Sequence, residues 1–155
     1  MPAPKTEKEV RGIIGRLQYI SRFIAKLTTI CKPIFKLLKK DQPVIWDENC
    51  QQAFDAIKDY LMSPPVLQPP RPKKPLILYL AIEKDAIGAM LAQENDAKVE
   101  HAVYYLSKKL LPYEANYSLV EKTCLAVIWA TKKLRHYFQS YQVQAVSKHD
   151  PLRYL

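Results

Sequence analysis

Over the first third of the chain apolar residues recur three and four apart, the period of a helix. Pro4 precedes Thr6-Glu7-Lys8-Glu9, where Thr6 and Glu9 have capping-box spacing and predict a helix start. Val10, Ile13, Ile14, Leu17, Ser21, Ile24 and Leu27 then form one side of that helix, apolar except at Ser21. Ile34-Phe35-Lys36-Leu37-Leu38 predicts a short second helix, with Pro33 in the first turn, where its missing N–H costs nothing. Asp47 suits the N-cap of a third helix running through Ala53, Phe54, Ile57 and Leu61, with Trp46 stapling it from outside.

Between Ser63 and Pro75 this pattern stops, and six of the chain's twelve prolines fall there. Such a stretch predicts an extended, semi-rigid connector at a domain boundary. Past it the period shortens toward two. Leu76 to Ile82 is apolar enough for a strand buried on both faces. Ile87 to Gln93 and Val99 to Lys108 predict two more, joined at an Asn95-Asp96 turn. Pro112 to about Phe138 reads as one long helix with a buried stripe of Val120, Cys124, Val127, Thr131, Leu134 and Phe138. Tyr141 to Ser147 predicts a fourth strand, and Pro151 to Leu155 the first turn of a further helix.

Charge sharpens this picture. The net charge is +9, and ten of the 24 Lys and Arg lie in the first 40 residues beside only two acids, Glu7 and Glu9. On a helical wheel Lys8, Arg11, Gly15, Tyr19, Arg22 and Lys26 fall together opposite the apolar stripe, which predicts a phosphate-binding face rather than a merely solvated one. Glycine inside a helix costs roughly 1 kcal/mol against alanine. Gly15 is therefore expected to admit a backbone or sugar edge, with Tyr19 lying against it. Its position opposite the stripe argues against the alternative, close helix–helix contact.

Cys31, Cys50 and Cys124 have neither zinc spacing nor an even count, so packed, reduced thiols are expected. With 48% hydrophobic residues the chain can bury a core. Lys5, Lys8 and Arg11 break up any signal-like N-terminus, and no run of about 20 apolar residues exists. An intracellular protein, cytoplasmic or nuclear and without membrane contact, is the expectation.

Several segments carry a family resemblance. Pro4-Lys5-Thr6, Glu9-Val10-Arg11, the run Ile14-Gly15-Arg16-Leu17-Gln18-Tyr19-Ile20-Ser21-Arg22-Phe23-Ile24 and Lys32-Pro33-Ile34 resemble the thumb of a gypsy-type LTR retrotransposon reverse transcriptase. So do Trp46, Cys50-Gln51-Gln52-Ala53-Phe54, Ile57-Lys58 and Pro64-Pro65-Val66-Leu67. Gly88-Ala89-Met90-Leu91-Ala92-Gln93, Tyr105-Leu106-Ser107 and Tyr117-Ser118-Leu119-Val120-Glu121-Lys122 resemble the RNase H-like domain that follows it in the Pol polyprotein.

The resemblance implies an α+β chain. A three-helix thumb-like subdomain at 1–62 would be followed by a connector at 63–75. An RNase H-like α/β domain with a mixed sheet, C-terminally incomplete, would occupy 76–155. It also implies a thumb gripping the minor groove of a primer–template, with Gly15 and Tyr19 at the tracking positions. An Mg²⁺ site would take Asp from the first strand, Glu from the long helix, Asp at the end of the fourth strand and a later Asp. Hard oxygen ligands serve such a site because they anchor ions that steady the attacking and leaving oxygens.

Only Glu121 matches that set, as the sole catalytic candidate, because Ala81 and Lys148 stand where Asp is expected. Glu83 and Asp150, two residues beyond them, would lie roughly 6–7 Å further along, too far to substitute. His101, His136 and His149 are scattered and read as surface or packing residues. No metal or other cofactor is expected for this chain.

The expected function is therefore that of a Pol fragment binding RNA/DNA hybrid or duplex DNA without catalysis. The remainder of a Pol protein or a second copy would be further partners. The rivals are a surviving hybrid-specific RNase H and a protein-interaction module derived from a retroelement. With the last strand and closing helix placed past Leu155, the second half is also expected to be soft or self-associating.

Overall fold

The computed structural model describes residues 3–37, 44–63 and 67–148. The chain divides into two compact units, Met1–Pro64 and Pro65–Leu155, and α-helices and a four-stranded sheet make it an α+β protein.

In the first unit, helix α1 (Glu7–Tyr19) opens on the expected capping box. Thr6 Oγ1 accepts from the Glu9 amide at 3.3 Å and a Glu9 carboxylate oxygen accepts from the Thr6 and Lys5 amides at 3.2 and 2.7 Å. Val10, Ile13, Ile14 and Leu17 are its buried side. The helix does not run on to Leu27. It closes at Ile20, a 3₁₀ turn follows over Ser21–Phe23, and Lys26 takes a left-handed conformation at φ 54°. Ile20 and Ser21 are both weak helix formers, and Ile24, extended at φ −119°, is fully buried by the change of direction.

Two short helices, α2 (Leu27–Ile30) and α3 (Lys32–Lys36), replace the single one expected, with Pro33 in the first turn of α3. Leu38 lies outside the described residues. Helix α4 (Glu48–Met62) starts at Asp47, whose carboxylate accepts from the Cys50 amide at 2.7 Å. Trp46 does staple it, edge-on to Phe54 with centroids 5.6 Å apart. Ile24, Leu27, Cys31, Ile34, Cys50, Phe54 and Ile57 join the α1 stripe in one core. Burial pushes the Cys31 thiol up to about 12 and Cys50 up to about 11, so both pack as neutral groups.

The second unit is built on strands β1 (Leu76–Ile82), β2 (Ala86–Glu94) and β3 (Glu100–Lys109), close to the expected bounds. Helices α5 (Pro112–Ala115), α6 (Leu119–Lys133) and α7 (Arg135–Ser140) lead to β4 (Val143–Val146). The sheet order is β3-β2-β1-β4, antiparallel except that β4 runs parallel to β1. A parallel return needs a crossover of a dozen or more residues, which the helices supply.

The predicted long helix is therefore three. Ser118 caps α6 better than it would continue a helix, and Leu134 at φ −105°, ψ 24° separates α6 from α7. The buried stripe is also out of phase with the expected one. Thr123, Ala126, Ala130 and Leu134 face the sheet, Cys124 is exposed, and Val127 and Thr131 are half-buried. Small residues let α6 approach the strands closely, so the largest apolar side chains do not mark its inner face.

The proline-rich connector is less independent than its composition suggests. Its described part, 67–75, is tied to the β2–β3 hairpin of its own unit. Gln68 donates its amide to the Ala102 carbonyl at 3.0 Å, beside an irregularity in the β2–β3 register. Gln93, 0% exposed, accepts from the Arg71 amide at 2.7 Å and donates to the Arg71 and Lys74 carbonyls at 3.0 and 3.2 Å. Asp96 pairs with Arg71 and Lys74 on the surface.

Candidate nucleic-acid interface and the strand ends

Helix α1 buries one side and leaves Lys8, Arg11, Gly12, Gly15, Arg16 and Tyr19 on the other, with Tyr19 88% exposed. Four of the six residues expected to share a basic face thus lie on one helix. Arg22 and Lys26 follow its end, so helical spacing does not carry them to that face. Arg22 lies over the Phe23 ring at 4.7 Å. Arg11 is oriented by Glu7, with Nη2 and Nε at 2.6 and 2.9 Å from the same carboxylate oxygen. An exposed pair at this spacing is worth roughly 0.3–0.5 kcal/mol, so Arg11 can exchange Glu7 for a phosphate at little cost.

The glycines stand out against the rest of the chain. There are three in 155 residues, and two, Gly12 and Gly15, lie on the exposed side of α1. A Cβ at either would meet nothing within 4 Å, and no glycine has positive φ. Neither internal packing nor backbone geometry requires them, although together they cost α1 about 1–2 kcal/mol against alanine. Gly12 is a position that sequence reading missed. The wheel that places Gly15 between Lys8 and Tyr19 places Gly12 there too. Beside the glycines, α1 and α4 form a groove of about 570 Å³ over buried Ile13, Leu17, Phe54 and Ile57, with Tyr19 and Lys58 also lining it.

In the second unit the ends of β1 and β4 lie side by side. Tyr79 pairs with Val146, and Ala81 and Lys148 each lie two residues further on, at neighbouring ends of parallel strands. Leu80 and Ile82 pack with the α6 side of the core, so alternation turns Ala81 to the other face, 3.7 Å from a Cβ built on Gly88. Lys148 is exposed.

Glu121 is committed elsewhere. It is the third residue of α6 and completes a capping box, accepting from the Ser118 amide at 2.7 Å while Ser118 Oγ accepts from the Glu121 amide at 3.3 Å. Hydrogen bonds from Ser118 hold its carboxyl below the usual range. The inward positions of that turn are Lys122 and Thr123. Lys122 Nζ donates to the Lys84 carbonyl at 3.0 Å, and Thr123 Oγ1 donates to the Leu119 carbonyl at 2.8 Å. Glu83, expected to continue the β1 face, instead follows the strand's end and donates its amide to the Ala86 carbonyl in the β1–β2 turn. Asp150 and His149 lie outside the described residues.

A divalent-metal site does not fit these groups: one position lacks a donor, one carries a cation, and the acid is turned to its own helix start. Among the described residues no three of His, Cys, Asp and Glu gather to hold a metal, and no helix is long and apolar enough to cross a membrane.

Residues 46–145 match the family described as the RNase H-like domain found in reverse transcriptase. The chain is 35% identical to the retrovirus-related Pol polyprotein from transposon 297 of Drosophila melanogaster over 99% of its length. It is 37% identical to the transposon Tf2-3 polyprotein of Schizosaccharomyces pombe over 88%. It spans 14% and 10% of those polyproteins. Among solved structures, the foamy viral protease-reverse transcriptase in complex with dsDNA superposes on all of the chain with a TM-score of 0.81 at 16% identity, using 33% of that protein. The same enzyme in complex with RNA/DNA hybrid covers 93% of the chain, and 20% of its own, with a TM-score of 0.77 at 18% identity. The resemblance to a retrotransposon Pol polyprotein carried by the motifs is thus met in both sequence and fold. The chain belongs to the family of RNase H-like domains found in reverse transcriptases.

Proposed function

We propose that the chain is a thumb and RNase H-like portion of a gypsy-type retrotransposon Pol that holds RNA/DNA hybrid or duplex DNA without cutting it. The observation that carries this reading is the exposed side of α1, where bare backbone at Gly15 lies between Lys8 and the exposed Tyr19. A sugar-phosphate edge can reach that backbone, Tyr19 can lie against a sugar, and Lys8 and Arg11 can meet phosphates. The foamy viral enzyme's complexes with dsDNA and RNA/DNA hybrid support duplex as the ligand class. Arg22 and Lys26 would add phosphate contacts from the segment after the helix. Mg²⁺ serves the family's chemistry, but the strand ends of this chain hold no ligand set for it, which favours binding over the rival reading as a surviving nuclease.

Salt dependence tests the charge component. Each phosphate contact contributes about −0.9 to the slope of log K against log salt on B-DNA. Replacing Arg11 and Arg22 together by Ala should flatten the slope by up to roughly two units. Equal slopes for variant and wild type would mean that these cations are only solvated.

A further inference from the structure

Helix α6 is more apolar than its exposure explains. From Thr123 to Thr131 it carries no charged residue, in a chain of which 25% is charged. A helix that is apolar all round is ordinarily covered all round. Its inner face, with Thr123, Ala126 and Ala130, meets the sheet, yet Cys124 is exposed and Ile128 is 54% exposed. The half-buried Thr131 adds little polarity, because its hydroxyl donates to the Val127 carbonyl at 2.8 Å within the helix.

Opposite the inner face, Glu121, Cys124, Ile128 and Lys132 fall within about 80° of one another at 100° per residue. All four are exposed. From start to end the line reads acid, small apolar, large apolar, base. Such a line is complementary to itself when a copy is turned end for end. Glu121 then faces Lys132 of the partner subunit, Cys124 faces Ile128 of the partner subunit, and the twofold axis repeats both contacts. A parallel pair would instead set acid against acid and base against base, which like charge opposes. The capping role of Glu121 leaves this open. Its Oε2 accepts from the Ser118 amide at 2.7 Å, and Oε1 remains for a cation.

We propose that the outer face of α6 is a self-association surface on which two copies of the chain pair antiparallel. The reversed charges at the two ends of the line select a second copy as the occupant and fix its register. With 15 residues the helix is about 22 Å long. That is small for an interface, so the dimer is weak and forms where the chain is concentrated. The surface lies on the second unit and does not rest on the duplex reading of α1.

The full chain, without nucleic acid, is followed by sedimentation velocity from about 1 to about 500 µM, where weak association is read, with circular dichroism melts of every variant. Wild type should pass from monomer to dimer across that range. Ile128→Arg should weaken association about tenfold or more while the melting temperature holds, because the position is exposed. Glutamine also serves in a capping box, so Glu121→Gln keeps the helix start. Glu121→Gln and Lys132→Gln should each weaken the dimer by about three- to tenfold, the effect of two exposed ion pairs. Together they should cost no more than either alone, since both remove the same pairs. A chain that stays monomeric throughout, or a dimer indifferent to Ile128→Arg, would overturn the proposal. Losses from the two glutamine variants that add in full would overturn the antiparallel pairing.

Discussion

Purified chain incubated with an RNA/DNA hybrid in Mg²⁺ or Mn²⁺ should leave the RNA intact, at a rate no higher than the protein-free control. Two-metal hydrolysis depends on carboxylates that bring hard oxygens within about 2–2.6 Å of each ion. Ala81 supplies no oxygen, and Lys148 would bring positive charge to the neighbouring strand end. Glu121 already accepts from the Ser118 amide, and the inward hydroxyl of Thr123 is directed at the Leu119 carbonyl. Withdrawing Glu121 would cost α6 its cap and still leave one ligand where several are required. Because each 1.36 kcal/mol of lost transition-state stabilisation is tenfold in rate, loss of metal anchoring worth several kcal/mol removes measurable turnover. Sustained cleavage by wild type that Glu121→Ala abolishes would contradict this.

Gln93→Leu should destabilise the second unit by about 2–4 kcal/mol in chemical denaturation and release the Arg71 amide to hydrogen exchange. The side chain is fully buried and makes three hydrogen bonds to the connector backbone. Each neutral bond contributes about 0.5–1.5 kcal/mol, and a buried group left unpaired costs about 1–3 kcal/mol. The surface pairs from Asp96 hold the same segment but are exposed. Asp96→Asn should therefore cost less than about 1 kcal/mol. If Gln93→Leu costs no more than Asp96→Asn and Arg71 stays protected, the buried clamp does not hold the connector.

What the sequence made legible was local. Thr6 with Glu9, Asp47 ahead of α4 and the bounds of β1 follow from residues within a few positions of one another. The end of α1 was hidden because Ile24 keeps helical spacing with Leu17 yet reaches the core through a 3₁₀ turn. The phase of α6 was hidden because its inner face is Thr123, Ala126 and Ala130, while larger apolar groups such as Ile128, 54% exposed, face outward. Gln93 gave no signal, since its partners are backbone groups about twenty residues earlier. The capping role of Glu121 was legible as well, though sequence reading passed over it. Ser118 and Glu121 repeat the spacing of Thr6 and Glu9, and the same capping logic accounts for both acids.

The most direct test of the α1 face is Gly15→Leu in the full chain, assayed against labelled hybrid duplex in EDTA so that binding is read without chemistry. A Cβ at Gly15 meets nothing within 4 Å, and leucine is the better helix former by close to 1 kcal/mol, so the variant should be at least as stable as wild type. Its affinity should fall about tenfold or more if a strand edge lies on the bare helix. A variant equally stable and equally tight in binding would show that nothing approaches α1 there, and would contradict the account.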